Sequence, residues 1–117
     1  MKKGKLIKSF TYAIAGICFC LRHERNMKIH CLAAVIVICC GLYFHVTRAE
    51  WLILLAVIGA VMSLEMVNTA IEKTVDLVTK DFNPLAKIAK DVAAGAVLLF
   101  TIIAVIIGAI IFLPYVV

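Results

Sequence analysis

The sequence from Glu65 to Asp76 reads EMVNTAIEKTVD and follows an apolar run that begins at Trp51. Asn68, Glu72 and Asp76 lie three, seven and eleven residues after Glu65. On an α-helix, these offsets place the four polar side chains within about an 80° arc of one face, which we call the polar stripe. Placing a carboxylate within a membrane costs free energy. Such carboxylates usually face a protein interior or a water-filled site, and so they indicate function.

The composition of the chain predicts a membrane protein. Its 117 residues are 65% hydrophobic and 16% charged, whereas soluble domains are about 45–50% apolar. A soluble core of this size could not bury so much apolar surface, so we predict an all-α integral membrane protein with a single membrane domain over residues 1–117. The net charge of +5 is interpreted as a topology signal. No basic patch alternates with stacking aromatic residues, so we expect no nucleic-acid partner.

The N-terminal segment predicts an amphipathic helix on the membrane surface. Apolar side chains recur there at spacings of three and four residues, at Leu6, Phe10, Ile14, Ile17 and Leu21. This is the period of an α-helix. The segment also carries several lysines, and it is too short and too mixed to span a bilayer. We therefore predict a surface helix over residues 5–22 that anchors the chain and helps to cover a site.

The rest of the chain predicts three transmembrane helices. Residues 29–47 carry no charged side chain and are about long enough for a first span. The second helix is predicted over residues 49–79, which is longer than the roughly 20 residues that a bilayer needs. Its last turns should therefore protrude into water. A third helix, charged at its start and uncharged afterwards, is predicted over residues 84–113.

Two short motifs predict where the second and third helices begin. Thr47 and Glu50 are spaced as a capping box, in which each side chain bonds the backbone N–H of the other. Asn83 followed by Pro84 is typical of an N-cap and a first helical position.

The five cysteines favour a packing role. They form no C-x-x-C pair, and three of them lie within the first apolar span. A metal or redox site is the alternative interpretation, but small apolar side chains in a reducing or lipid setting explain this pattern better.

The distribution of charge predicts the orientation in the membrane. Eleven of the 12 Lys and Arg residues lie in the N-terminal segment or in residues 73–90, and Arg48 is the exception. By the positive-inside rule, the N-terminus and residues 73–90 are cytoplasmic, while the turn at residues 45–48 and the C-terminus are extracytoplasmic.

This topology arranges the polar stripe by depth. Glu65 lies about 22 Å deeper than Glu50, at 1.5 Å per residue, and therefore within the cytoplasmic part of the membrane core. Glu72 and Asp76 reach the inner interface or beyond it. Glu24 and the charged start of the third helix are expected at the same level, the cytoplasmic membrane interface.

The residue types at this plane suit phosphoryl transfer. Mg²⁺ usually takes one or two protein carboxylates together with waters and phosphates, and Glu24 and Glu72 are candidates for that pair. Lys90 could neutralise phosphate oxygens. Glu65 could accept the proton of an alcohol whose tail stays in the bilayer. A metal–phosphate site next to a positioned hydroxyl is what phosphoryl transfer requires.

Simpler interpretations are retained for several of these residues. Lys73, Lys80, Lys87 and Asp76 are more typical of solvated interfacial side chains, and the three histidines of interfacial hydrogen-bonding groups. No P-loop or protein-kinase signature occurs. A small proton-coupled multidrug transporter is the rival function, because such a protein also keeps a buried membrane carboxylate. A structural assembly subunit is a third possibility, but it gives no reason for Glu65.

Three helices with one polar stripe do not easily close a site alone. Small residues on the second and third predicted helices would permit close helix packing. A homo-oligomer that completes each site between subunits is therefore expected.

The stripe motif E-x-x-N-x-x-x-E-x-x-x-D, joined to the A-K-D of Ala89-Lys90-Asp91, strongly resembles the signature of the prokaryotic diacylglycerol kinase family, the small bacterial membrane lipid kinases. The segment Glu24–His30, ERNMKIH, is similar to the branch whose members act mainly as undecaprenol kinases. The resemblance covers essentially the whole chain.

The resemblance implies a homotrimer in the bacterial cytoplasmic membrane, with sites shared between subunits. It implies Mg²⁺ and ATP as cofactor and phosphoryl donor, and a lipid alcohol as acceptor, with undecaprenol favoured over diacylglycerol. Glu65 would be the catalytic base, and Glu24 and Glu72 would hold Mg²⁺ against the nucleotide. Asn68 and Asp76 would support the site. The positions that match ATP contacts are Tyr12, Glu24, Glu72, Asp81, Phe82, Asn83, Lys90 and Asp91.

Overall fold

The computed structural model describes residues 2–117, with side chains from residue 4 onward. Residue 1, the first position of the expected domain, lies outside the described residues. The described chain forms four α-helices: α1 (Lys2–His23), α2 (Arg25–Phe44), α3 (Arg48–Val78) and α4 (Pro84–Val116). The predicted segments 5–22, 29–47, 49–79 and 84–113 correspond in order to these four helices.

By length and composition, all four helices could cross a membrane, and this includes α1, which the sequence predicted to be too short and too mixed to span. The mean hydropathy is 1.3 for α1, 2.0 for α2 and α3, and 3.2 for α4. Most large apolar side chains of the chain are exposed to its surroundings, as expected where lipid or other protein surfaces replace water. The chain is therefore a multi-pass membrane protein of all-α class, in which α1 is the least apolar helix.

α3 and α4 begin at the two predicted motifs. The Glu50 N–H donates to Thr47 Oγ1 at 3.2 Å, and the Thr47 N–H donates to Glu50 Oε1 at 2.9 Å, which confirms the capping box. Asn83 Oδ1 accepts hydrogen bonds from two backbone N–H groups at 2.9 and 3.2 Å, which confirms the N-cap before Pro84. Polar residues outside the apolar runs thus determine where these helices begin.

α3 is the central helix, because it packs against α1, α2 and α4. A hydrophobic core at its N-terminal end is formed by Val46, Leu54 and Ile111, with Trp51 packed against them. Gly41 on α2 faces the Trp51 ring so closely that a Cβ there would lie 2.6 Å from the ring atom Cη2. The absence of a side chain at Gly41 therefore allows α2 and α3 to approach each other.

Tyr115 near the end of α4 donates a hydrogen bond to Glu50 at the start of α3. The five cysteines are free thiols. The contact between Tyr115 and Glu50 lies at the N-terminal end of α3, away from the C-terminal half where the polar stripe begins.

Candidate functional site

The first half of the polar stripe is buried. Glu65 has 2% of its surface exposed, and Asn68 and Thr69 have 4% each. The Thr69 hydroxyl donates to the Glu65 backbone carbonyl at 3.0 Å, so its polar group is satisfied within α3. The stripe prediction therefore identified a face that the fold encloses, and Glu65 is a buried carboxyl group on a membrane-spanning helix.

Asn68 joins the two glutamates of the stripe. Its side-chain Nδ2 donates to Glu65 Oε1 at 3.5 Å and to Glu72 Oε1 at 3.3 Å. One amide group thus lies between two carboxyl groups that are two helical turns apart, and it offsets their mutual repulsion. These two hydrogen bonds restrain both carboxylate side chains, and the supporting role of Asn68 stays a prediction.

Two buried polar atoms of this group lack a partner in the described part of the chain. Glu65 Oε2 and Asn68 Oδ1 make no hydrogen bond with residues 2–117. A buried oxygen without a donor is costly, by roughly 1–3 kcal/mol. Such an atom in a native fold calls for an explanation, and a ligand or substrate donor is one.

His30 on α2 lies beside Glu65, a proximity that the sequence analysis did not predict. Its Nε2 lies 3.9 Å from Glu65 Oε2, and its side chain is only 16% exposed. The sequence held a signal, since His30 follows Met27 by three residues and precedes Ala34 by four. Both of these neighbours are buried, so His30 shares the inward face of α2.

A pocket of about 240 Å³ surrounds the buried carboxyl group. The three helices after α1, which are more apolar than α1, all contribute to it. The polar and small lining residues are Asn26 and His30 from α2, Glu65 and Asn68 from α3, and Ala94 and Thr101 from α4. We call it the carboxylate pocket.

Glu24 lies at the start of α2, where its backbone is extended and occupies the N-cap position. Its side chain does not cap α2, so the carboxyl group is available for other partners. Asn26, two residues after Glu24, lines the carboxylate pocket, and Glu72 shares the Asn68 amide with Glu65. The three glutamates that the sequence singled out therefore belong to one region, although residues 4–117 contain no ready-made cluster of three or more metal-ligating side chains.

A second pocket of about 230 Å³ lies at the loop between α3 and α4. Five of the expected nucleotide-binding residues line it, together with Lys87. The five are Asp81, Phe82, Asn83, Lys90 and Asp91. We call it the loop pocket. Tyr12 lies elsewhere, on α1, with 70% of its surface exposed.

Ion pairs organise the charges around the loop pocket. Lys90 Nζ lies 2.6 Å from Asp76 Oδ1, which joins α4 to the last residue of the polar stripe. Lys87 pairs with Asp91 one turn along α4. Because Glu72 and Asp76 are neighbours on α3, the stripe runs from the carboxylate pocket to the edge of the loop pocket.

The carboxylate pocket and the loop pocket bring carboxylates and lysines together in one bundle of apolar helices, and these are residue types that phosphoryl transfer uses. Residues 11–112 match the sequence pattern of the family described as prokaryotic diacylglycerol kinase. The chain belongs to this family of lipid kinases, which confirms the resemblance drawn from the stripe motif.

Individual relatives are similar over most of the chain. An undecaprenol kinase of Bacillus subtilis (strain 168) is 50% identical over 111 residues, which are 95% of this chain and 90% of the relative. A diacylglycerol kinase of Synechocystis is 44% identical over 93% of this chain and 63% of the relative. A diacylglycerol kinase of Pseudomonas aeruginosa is 32% identical over 79% of this chain and 75% of the relative.

Proposed function

We propose that this protein transfers the γ-phosphoryl group of ATP to the hydroxyl group of a membrane lipid alcohol. The observation that carries the proposal is the carboxyl group of Glu65: the residue lines the carboxylate pocket, and its buried Oε2 has no hydrogen-bond donor from residues 2–117. An alcohol hydroxyl is a donor that would satisfy this atom. Membership of a lipid kinase family supports the same acceptor class.

In the proposed reaction, Glu65 acts as the general base. The acceptor hydroxyl donates its proton to Glu65 Oε2 while the alcohol oxygen forms a bond to the γ-phosphorus. The bond between that phosphorus and the bridging oxygen of ADP breaks, and ADP leaves with the electron pair. Asn68 holds Glu65 Oε1 by its side-chain amide, so the second carboxylate oxygen faces the acceptor.

The residues of the site fit a Mg²⁺ ion held jointly by protein and nucleotide. Mg²⁺ commonly takes one or two protein carboxylates and completes its shell with phosphate oxygens and waters. Glu24 and Glu72 supply two such carboxylates, and neither is engaged in an ion pair within residues 4–117. When bound, Mg²⁺ would neutralise charge on the transferred phosphoryl group.

The loop pocket is the proposed nucleotide site. Lys90 contributes a cation for phosphate oxygens, while Asn83 and Asp91 contribute polar groups around the hollow. The α3 face then connects nucleotide and acceptor, since Glu72 lies between the loop pocket and Glu65. Tyr12, on the exposed side of α1, would contact ATP only after α1 approaches the loop pocket or a neighbouring subunit.

Undecaprenol is the proposed acceptor. The Bacillus subtilis relative, named an undecaprenol kinase, shares half of the aligned residues. Diacylglycerol is the alternative acceptor, because the Synechocystis relative named a diacylglycerol kinase is 44% identical. Both lipids present one hydroxyl at the head of apolar tails, so the same base serves either of them.

The proposed assembly is a homotrimer in the bacterial cytoplasmic membrane. In this arrangement α1 lies on the cytoplasmic surface, the N-terminus is cytoplasmic, and the C-terminus is extracytoplasmic. Two observations support it: α1 has the lowest mean hydropathy of the four helices, and the exposed apolar side chains of the single chain are extensive.

The decisive experiment is a lipid kinase assay on purified protein in mixed micelles with ATP, Mg²⁺, and undecaprenol or diacylglycerol in parallel. We expect phosphorylation of undecaprenol by the wild-type protein and loss of about 10²–10⁴-fold in Glu65→Gln, the range that general-base catalysis contributes. Glu50→Gln is the matched control. It removes a carboxylate from the other end of α3 and keeps a side chain that suits a capping box.

Each outcome of this assay has a distinct meaning. Full activity in Glu65→Gln removes Glu65 as the base. Preference for diacylglycerol changes the acceptor and leaves the reaction class intact. Proton-driven ethidium flux in liposomes without ATP, with no lipid phosphorylation, replaces the kinase by a transporter.

A further inference from the structure

Lys73 on α3 lies over the aromatic ring of Phe19, near the end of α1. The Lys73 Nζ atom is 5.7 Å from the ring centroid, within the roughly 6 Å that defines a cation–π interaction. Lys73 directly follows Glu72 in the sequence. The contact therefore joins α1 to the turn of α3 that carries one of the two proposed Mg²⁺ ligands.

The Phe19 ring also stacks on His23, the last residue of α1. The two ring centroids are 4.6 Å apart and the rings are inclined by 24°. His23 Nδ1 lies 3.1 Å from the Phe19 carbonyl oxygen, so the imidazole is restrained on the same turn. Because Glu24 directly follows His23, Phe19 connects the residue beside Glu72 with the residue beside Glu24.

Glu24 is the single residue between α1 and α2, and its backbone is bonded to both helices. Its N–H donates to the Cys20 carbonyl at 3.0 Å, and its carbonyl accepts from the Lys28 N–H at 3.2 Å. Cys20 and Met27, which flank it along the chain, are buried. A displacement of the last turn of α1 therefore displaces Glu24.

The proposed metal site makes the position of Glu24 important. Mg²⁺ requires near-octahedral geometry with oxygen ligands at about 2.0–2.1 Å. Carboxylates from two different segments, Glu24 and Glu72, can share one ion only where those segments are held in a fixed relation. On the α2 side of Glu24 this relation is supported by Asn26, which lines the carboxylate pocket together with Asn68 of α3. On the α1 side, the contact between Phe19 and Lys73 supplies it.

We propose that Phe19 and Lys73 are positioning residues: their contact fixes the last turn of α1 against α3 and so holds Glu24 where it shares Mg²⁺ with Glu72. This inference rests on the proposed function, in which those two glutamates bind the ion. Neither Phe19 nor the Lys73 ammonium touches the metal. Their substitution changes metal affinity and leaves the affinity for the lipid acceptor unchanged.

The test is a double-mutant cycle with conservative partners. Lys73→Met and Phe19→Leu remove the cation and the ring, whereas Lys73→Arg and Phe19→Tyr keep them. We expect each disruptive variant to raise the Mg²⁺ concentration for half-maximal lipid phosphorylation two- to fivefold, which corresponds to the about 0.5–1 kcal/mol of an exposed cation–π contact. The conservative variants should restore the wild-type value. The lipid KM should be unchanged in all of them.

The combined variant Lys73→Met/Phe19→Leu should show no larger effect than the stronger single variant, because both remove the same contact. Phe10→Leu is the matched control, since Phe10 is an exposed aromatic residue on α1 about half a turn away around the helix. An effect of Lys73→Met without one of Phe19→Leu would mean that Lys73 contacts the nucleotide directly, and it overturns the proposal. Additive effects in the combined variant, or an unchanged Mg²⁺ dependence, overturn it as well.

Two measurements without catalysis separate this inference from the kinase function. Mn²⁺, which prefers the same oxygen ligands as Mg²⁺, is titrated by EPR in the presence of a non-hydrolysable ATP analogue and without lipid. Backbone hydrogen exchange of residues 17–23 is followed by mass spectrometry without metal or nucleotide. We expect weaker Mn²⁺ binding and faster exchange, each about two- to fivefold, in Lys73→Met and Phe19→Leu, with both restored in Lys73→Arg.

The outcomes of these measurements are distinct. If the wild-type protein phosphorylates no lipid but the variants weaken Mn²⁺ binding and speed exchange, the kinase proposal fails and the positioning role stands. If exchange of residues 17–23 is the same in wild type, Lys73→Met and Phe19→Leu, the contact does not hold α1, and the positioning role is rejected whatever the kinase activity. Faster exchange with unchanged Mn²⁺ binding rejects it too, because the contact then stabilises α1 without placing Glu24.

Discussion

The ammonium group of Lys90 lies 2.6 Å from Oδ1 of Asp76, and this ion pair joins α4 to α3. Each side chain is about two-fifths exposed, at 40% and 39%. Asp76 ends the polar stripe, whereas Lys90 lines the loop pocket. The pair therefore lies between the two parts of the candidate site, and it can serve structure, nucleotide binding, or both.

Lys90→Met should raise the KM for ATP about tenfold or more, because a cation in the loop pocket is lost and a hydrogen bond to a charged group contributes about 1.5–3 kcal/mol. Stability should change little, since partly exposed ion pairs contribute about 0.2–1 kcal/mol. Steady-state kinetics with varied ATP and thermal unfolding in detergent measure the two effects. Lys28→Met is the matched control, because Lys28 is exposed on α2 and does not line the loop pocket.

The double reversal Asp76→Lys/Lys90→Asp separates the structural role from nucleotide binding. It restores an opposite-charge pair between α3 and α4, so unfolding should return to near the wild-type temperature. Nucleotide binding should stay impaired, because the cation now extends from α3. Recovery of the ATP KM in the double variant would show that Lys90 acts only through its pairing with Asp76.

The position of the Asn68 amide between two carboxyl groups predicts that a substitution there lowers both stability and activity. Asn68→Asp replaces the donor between Glu65 and Glu72 by a third carboxylate, and two oxygens lose their hydrogen bond. We expect the free energy of unfolding to fall by about 1–3 kcal/mol, the cost of buried polar groups left unsatisfied. Lipid phosphorylation should fall at least tenfold, because Glu65 loses the group that orients it.

The control for Asn68→Asp is Thr74→Val. The Thr74 hydroxyl donates a hydrogen bond to a backbone carbonyl of its own helix, and the residue is exposed. The unfolding free energy and the rate of lipid phosphorylation should therefore stay close to wild type. Retained activity in Asn68→Asp at millimolar Mg²⁺ would contradict the orienting role. Chemical denaturation followed by circular dichroism and the kinase assay are the two measurements.

The contact between Gly41 and Trp51 predicts a packing defect. A Cβ at position 41 would lie 2.6 and 2.9 Å from two ring atoms of Trp51, so Gly41→Ala should destabilise the fold by about 1–3 kcal/mol, as overpacking does. Gly108→Ala is the control, since a Cβ there meets nothing within 4 Å. The unfolding free energy of each variant is the measurement.

The combined variant Gly41→Ala/Trp51→Phe tests the cause of that defect. The smaller phenylalanine ring at position 51 in the double variant leaves room for the new methyl group. The double variant should therefore lose less unfolding free energy than the sum of the losses in the two single variants. Additive losses would mean that the clash with Trp51 is not the source of the instability.

The amino-acid sequence predicted the features that depend on one helix. The spacing of Glu65 and Asn68 identified a shared face, and both residues are buried. The capping box at Thr47 and the N-cap at Asn83 depend on neighbours within three residues, so they too were predicted correctly. Local spacing determines these features because helix geometry is nearly invariant.

Features that depend on the rotation of one helix against another were not predicted. The sequence assigned His30 to the membrane interface, yet α2 turns it toward Glu65. The sequence placed Asp76 and Lys90 at the same level of the membrane but did not pair them, whereas the structure brings Lys90 Nζ within 2.6 Å of Asp76 Oδ1. Spacing along one chain segment states which residues share a face. It does not state which face of a second helix will oppose them, since this is decided by side-chain packing over the whole interface.

The turn between α2 and α3 gives the last prediction. His45 ends α2 in the left-handed conformation, with φ 54° and ψ 50°, and its N–H donates to the Gly41 carbonyl. A side chain in this conformation costs roughly 1–2 kcal/mol, whereas glycine adopts it freely. We expect His45→Gly to unfold at the wild-type temperature or above, because relief of strain offsets the greater freedom of glycine in the unfolded chain. His45→Val should unfold at a lower temperature, since a β-branched side chain is least compatible with positive φ. Thermal unfolding of both variants in the same detergent measures the difference, and equal temperatures would show that the turn relaxes to a negative φ.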